Sequence, residues 1–125
     1  MPSARILVVD DTPSVRVVLR SLLPSLGDLE VVAEAVDGVD AVAVACAHHV
    51  DGVVLDQEMP IRNGLDVLPD LRAKLPDAVI VMFTSVARAE LEESALAGGA
   101  DAVVDKVDGP CAVAAALTSR FHPVG

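Results

Sequence analysis

Five short apolar runs, at 6–9, 31–33, 53–55, 79–83 and 102–104, punctuate the chain, and between them lie longer stretches whose apolar residues recur every three or four positions. Runs such as Ile6-Leu7-Val8-Val9 lack polar alternation. That suits strands covered on both faces, as parallel sheets have. Strands alternating with helices give an α/β pattern, so five strands and five helices are expected. The first helix is predicted to begin near Pro13, to carry the stripe Val15, Val18, Leu19, Leu22 and Leu23, and to stop at Pro24. The second begins near Gly38, with Val39, Val42, Ala43 and Cys46 at helical spacing. The third follows Asn63-Gly64 with Leu65, Leu68, Leu71 and Leu75, and Pro69, past the first turn, predicts a kink or a later start. The fourth spans about Ala87 to Ala97 before Gly98-Gly99, and the fifth runs from Gly109-Pro110 to about Phe121.

Polar clusters stand at or just past the downstream ends of four of these runs: Asp10-Asp11, Asp56, Thr84-Ser85 and Lys106. In open α/β sheets ligands bind outside the carboxyl ends of the strands. Parallel strands therefore gather these clusters on one rim.

Composition narrows the classes. A chain of 125 residues is long enough for one core, and one domain is expected. Although 53% of residues are hydrophobic, no run approaches the roughly 18 apolar residues of a membrane span. The apolar part of the N-terminus is too short for a signal peptide, so a cytoplasmic location is expected. A net charge of −10 and the absence of Trp and Tyr argue against direct binding of nucleic acid. Cys46 and Cys111 have no CxxC partner and are expected as small, buried or half-buried thiols. His48-His49 are adjacent and share no helix face, which places them at a surface or helix end rather than on a metal.

Carboxylates gathered on one rim need a counter-charge. A hard divalent cation such as Mg²⁺ (or Mn²⁺) binds one or two carboxylates together with waters and phosphate oxygens. Lys106, one of two lysines in the chain, can act as a point charge on a phosphoryl oxygen. Thr84 adds a hydroxyl donor. This set suits phosphoryl transfer, in which positioning and charge neutralisation dominate. Asp56 is then the candidate nucleophile, because Asp10 and Asp11 are adjacent and better placed to hold metal.

The Val8-Val9-Asp10-Asp11 segment, Leu55-Asp56-Gln57-Glu58-Met59-Pro60 with Gly64, Phe83-Thr84-Ser85 and the lysine ending the fifth run together resemble the receiver domain of two-component response regulators, over residues 4 to 121. The remaining residues, 122–125, make a short tail. The resemblance implies a doubly wound, flavodoxin-like parallel sheet of order 2-1-3-4-5. It further implies Asp56 as phosphoacceptor, taking the phosphoryl group from a phosphohistidine on a sensor histidine kinase or phosphotransfer protein. Asp11 would be the direct Mg²⁺ ligand with Asp56, Asp10 would act partly through water, and the Glu58 backbone carbonyl would complete the protein ligands. Thr84 would be the switch hydroxyl and Lys106 its phosphate-contacting partner. Phosphorylation would then shift a two-state equilibrium that controls a downstream target or output domain, with homodimerisation one outcome. Such a domain is a phosphoacceptor that assists its own phosphorylation and dephosphorylation rather than an enzyme acting on another substrate.

The chain departs from that family at several positions. Val103 stands where Tyr or Phe is usual, and Val107 where proline commonly follows the lysine, so a trans peptide is expected there. Ser85 replaces Ala or Gly, and Glu58 adds a carboxylate beside the site. The loss of the aromatic makes a degenerate receiver, acting as a phosphorylation-independent interaction module, the main alternative. A haloacid dehalogenase-type phosphatase needs DxDx[TV], whereas the chain reads Asp10-Asp11-Thr12-Pro13. A flavin site lacks a Trp or Tyr to stack on the ring.

Overall fold

A computed structural model describes residues 3–121, so the tail at 122–125 lies outside the described residues. Strands and helices alternate throughout: β1 (Ala4–Val9), α1 (Pro13–Leu26), β2 (Leu29–Ala35), α2 (Gly38–His48), β3 (Gly52–Leu55), α3 (Gly64–Lys74), β4 (Val79–Thr84), α4 (Ala89–Gly98), β5 (Ala102–Asp105) and α5 (Gly109–Phe121). All strand pairs are parallel and the order is β2-β1-β3-β4-β5, the flavodoxin-like arrangement. The three central strands are β1, β3 and β4, and their runs are buried on both sides as their unbroken apolar sequences require.

Side-chain alternation along these strands divides the core in two. Leu7, Val9, Val53, Leu55, Ile80 and Met82 point toward α2, α3 and α4, where Ala41, Ala45, Val67, Leu68, Leu71 and Ala95 meet them. Ile6, Val8, Val54, Val81 and Phe83 point the other way, onto Leu19 and Leu23 of α1 and Val113, Ala114 and Leu117 of α5. Edge strand β2 contains a bulge: Ile6 pairs with Val31 but Leu7 pairs with Ala33, which leaves Val32 as the extra residue. The bulge keeps β2 in step with β1. Leu29 and Val31 serve the α1/α5 core, and Ala33 and Ala35 serve the other.

Both prolines lie inside helices, which removes the expected stop at Pro24 and the later start at Pro69. Pro24 does not stop α1, which continues to Leu26. It is exposed and falls in the last turn, while Leu19 and Leu23 hold the helix from its buried side. Pro69 neither delays nor breaks α3, which begins at Gly64. An interior proline costs about 3 kcal/mol, but each fully buried Val or Leu contributes about 1.5–3 kcal/mol. Val67, Leu68 and Leu71 are all 0% exposed, and the Asn63 side chain caps the helix by accepting from the Asp66 N–H at 2.9 Å. Packing and cap therefore outweigh one missing hydrogen bond. The cysteines were misjudged as well: Cys46 and Cys111 are both exposed, because the buried stripes of α2 and α5 run through Ala41/Ala45 and Val113/Leu117 instead. His48 ends α2 and His49 is its left-handed cap residue, a helix-end placement as expected.

Arg72 locks the ends of the strands remote from the clustered aspartates. Its Nε and Nη2 donate to the Gly99 carbonyl at 3.0 and 2.7 Å, its Nη1 to the Ala78 carbonyl at 2.7 Å, and its Nη2 to Asp101 Oδ2 at 2.9 Å. The same Asp101 oxygen accepts from the Ile80 N–H at 2.8 Å. Removing the guanidinium strands several partly buried acceptors. Arg72→Met is expected to lower unfolding stability by about 2–3 kcal/mol in urea titrations, and Arg72→Lys to recover little, since an ammonium lacks the fork. A loss near zero for Arg72→Met contradicts this assignment.

Candidate phosphoacceptor site

The parallel sheet delivers the predicted residues to one rim. Asp10 follows β1 directly, where its N–H donates to the Ala35 carbonyl at 3.1 Å and its Oδ1 accepts from the Thr12 N–H at 2.8 Å. Asp56 follows β3, tied by its N–H to the Val9 carbonyl at 2.9 Å, and its Oδ1 accepts from the Gln57 N–H at 2.8 Å. The loop that follows folds back tightly: the Gly64 N–H donates to the Gln57 carbonyl at 3.0 Å, and a Cβ at Gly64 would lie 2.5 Å from the Asp56 carbonyl oxygen. Only glycine allows that approach. Thr84 ends β4 fully buried, its Oγ1 accepting from the Val86 N–H at 3.2 Å.

Lys106 follows β5 and reaches across the rim. Its Nζ lies 2.9 Å from Asp10 Oδ2 and 3.4 Å from Asp56 Oδ2. Asp10 and Asp56 are 2% and 3% exposed, whereas Asp11 is exposed, and one carboxylate oxygen from each of the three lies within 4.8 Å of the others. Burial is costly for these anions. It pushes the Asp56 carboxyl up to about 6, helped by the negative charge of Asp10, while the charge and hydrogen bond of Lys106 and the Gln57 N–H pull it back. Burial alone would lower the Lys106 ammonium, but the hydrogen bond to Asp10 and the charges of Asp56 and Asp10 outweigh it and raise its pKa.

An all-oxygen donor set that repels itself and opens to solvent at Asp11 fits a hard divalent cation. Glu58 is exposed and its carboxylate stands outside the aspartate cluster, beside an open cleft of about 180 Å³ that Gln57, Val86 and Arg88 also line. Ser85 is exposed. Val103 is half-buried against the α2–α4 core, and Val107 is 85% exposed after a trans peptide. Two groups around the site escaped the sequence reading. Gln57 braces the loop by accepting from the Leu65 N–H at 2.8 Å, and Arg16 donates to the Asp10 carbonyl at 2.6 Å. The two bonds close a loop and a turn over only eight and six residues, but each pairs a side chain with a backbone group, which no periodic pattern announces.

The family model for the response regulator receiver domain matches residues 6–117. The chain belongs to the response regulator receiver family. Its relatives include the chemotaxis protein CheY of Halobacterium salinarum, 33% identical over 82% of this chain and 83% of that protein. Another is a protein-glutamate methylesterase/protein-glutamine glutaminase of Myxococcus xanthus, 38% identical over 97% of this chain but only 33% of the relative. The chain spans about a fifth of the length of further methylesterase relatives, 22% for one from Geobacter metallireducens. Among solved structures, the signal receiver domain of a NarL response regulator from Mycobacterium tuberculosis superposes with a TM-score of 0.87 at 26% identity, covering 98% of this chain and 99% of that one. The response regulator domain of Thermotoga maritima CheB gives 0.78 at 30% identity, covering 95% and 89%. This receiver is therefore a module of two-component signalling, and among its described residues no helix is long and apolar enough to cross a membrane.

Proposed function

We propose that Asp56 accepts a phosphoryl group from a phosphohistidine on a sensor histidine kinase or phosphotransfer protein, in a cytoplasmic setting, and that the phosphorylated domain controls a downstream protein or an output domain. What supports this is the convergence of Asp10, Asp11 and Asp56 within 4.8 Å beside the Lys106 ammonium. Asp11 and Asp56, with Asp10 and the Glu58 carbonyl, would hold Mg²⁺ or Mn²⁺. Bound there, the ion would supply charge neutralisation for the phosphoryl oxygens.

The chain's own groups perform the rest. The Gln57 N–H holds Asp56 Oδ1 at 2.8 Å, which makes Oδ2, facing the Lys106 ammonium at 3.4 Å, the nucleophile. A bond forms from this oxygen to phosphorus as the phosphorus–nitrogen bond to imidazole breaks, and the bond pair leaves with the imidazole nitrogen. Lys106, already 3.4 Å from Oδ2, stands where a phosphoryl oxygen needs a cation, and Thr84 ends the neighbouring strand with its hydroxyl on the same rim. Receiver domains of this kind need no further substrate, so we read the module as a phosphoacceptor and assign no separate enzymatic activity to it. A phosphorylation-independent interaction module gains no support from the site, in which every charged member is present and placed.

Acetyl phosphate with Mg²⁺ is expected to add about 80 Da to the intact chain, as one phosphoryl group requires, and the gain should need Mg²⁺ and vanish in Asp56→Asn. Mass gain that survives the substitution overturns the assignment. Because Val103 offers no ring to move, amide exchange with a beryllofluoride mimic is expected to show changes around Thr84 and Lys106 without the protection change on β5 that an inward-swinging aromatic produces. Protection changes like those of an aromatic-switch receiver count against that part.

A further inference from the structure

We infer that Arg16 is a positioning residue for the metal-binding turn, aligned for that task by Glu34 and Arg20. The inference rests on the phosphoacceptor reading above and adds to it residues outside the aspartate cluster.

Arg16 lies on α1, and its Nη1 donates to the main-chain carbonyl of Asp10 at 2.6 Å, while its Nε donates to Glu34 Oε1 at 3.1 Å. Arg20, one turn further along, holds the other oxygen of the same carboxylate, Glu34 Oε2. The side chains of Arg16 and Glu34 are only 15% and 26% exposed, so this is not a loose surface pair. Glu34 sits on β2 one residue before Ala35, whose carbonyl receives the Asp10 N–H. Asp10 is thus held at three points: its N–H by β2, its carbonyl by Arg16, and its Oδ1 by the Thr12 N–H at 2.8 Å. Oδ2 remains for Lys106 and a cation. No hydrogen bond of Arg16 reaches a carboxylate of the cluster, so any help it gives to ion binding comes through the position of Asp10.

Geometry and charge predict opposite signs here, which makes the inference decidable. A guanidinium near a cation site repels the ion, so if Arg16 acted only through its charge, removing it would tighten binding. If it positions Asp10, removing it weakens binding, and partners outside the ligand sphere are typically worth about 10–100-fold in metal affinity. Lysine keeps the charge but lacks the planar fork that meets the Asp10 carbonyl and Glu34 at fixed angles.

The test is calorimetric titration of Mg²⁺, with Mn²⁺ binding followed by electron paramagnetic resonance, on the whole chain carrying Arg16→Met, Arg16→Lys or Glu34→Gln, with thermal unfolding measured without metal alongside. Arg16→Met is expected to weaken Mg²⁺ binding roughly tenfold, Arg16→Lys nearly as much, and Glu34→Gln by less in the same direction. Unchanged or tighter affinity in Arg16→Met, whatever the fall in thermal stability, overturns the inference. Should Arg16→Met not fold, unchanged affinity in Glu34→Gln does so instead. A wild-type chain that takes up no Mg²⁺ at millimolar concentration overturns the phosphoacceptor reading itself.

Discussion

Asp56→Asn is expected to stabilise the metal-free domain at pH 7.5 by up to about 3 kcal/mol while abolishing phosphoryl uptake. The Asp56 carboxyl is raised from its ordinary 3.8 to about 6 by burial and by Asp10. Between those two values the folded chain binds a proton that the unfolded chain has released, so stability falls as pH rises through the window. Above pH 6 the whole penalty is present; below pH 3.8 it is gone. At about 1.4 kcal/mol per pKa unit the shift amounts to about 3 kcal/mol. Asparagine keeps the Oδ1 that accepts from the Gln57 N–H but carries no charge, and Lys106 retains Asp10 at 2.9 Å. Urea titrations across pH 4 to 8 check this: the gain over wild type should shrink toward pH 4. Added Mg²⁺ should close the gap from the other side, by stabilising the wild type through mass action. A variant less stable than wild type at pH 7.5 without metal contradicts the electrostatic picture of the site. A stability–function conflict of this kind is what a nucleophile kept ionised beside other carboxylates produces.

That conflict was legible in the sequence at the level of which residues meet. Ile6–Val9, Val53–Leu55 and Val79–Phe83 read as strands covered on both faces, and parallel pairing alone carried Asp10, Asp56, Thr84 and Lys106 to one rim without any knowledge of distances, while the strand order came from the family resemblance. Edges were harder to read. β2 extends two residues beyond its apolar run on each side, because an edge strand tolerates Glu30 and Glu34 and its bulge breaks the period of two. Pro24 as a stop and Pro69 as a reason for a later start misled because propensity is local while the burial of Leu23 and Leu68 beside them is tertiary. Arg16 and Arg72 went unnoticed because their acceptors, Glu34 and Asp101, lie 18 and 29 residues away, and several are backbone carbonyls that carry no sequence signal.

Lys106→Met provides the sharpest test of how charge is balanced on the rim. Lysine is the only cation within salt-bridge distance of Asp10 and Asp56 among the described residues, and both its charge and its hydrogen bond lower the Asp56 carboxyl. Breaking a buried ion pair commonly costs about 3–5 kcal/mol because an uncompensated charge is left behind. Here the cost at Asp56 is limited. With its pKa at about 6, protonating this carboxyl at pH 7 takes only about 1.4 kcal/mol, so the site neutralises itself by taking up a proton before it unfolds. The expected result is therefore a further rise of the Asp56 pKa, seen in carboxyl carbon shifts by NMR, rather than wholesale loss of structure. Phosphoryl uptake from acetyl phosphate should fall at pH 7, by roughly tenfold for each unit the pKa passes above the working pH. Raising the pH should restore the part of the rate lost to protonation, and the part that stays lost measures the cation that Lys106 supplies to the phosphoryl oxygens. An Asp56 pKa unmoved by Lys106→Met shows that the ammonium and the nucleophile do not communicate, and removes Lys106 from the mechanism.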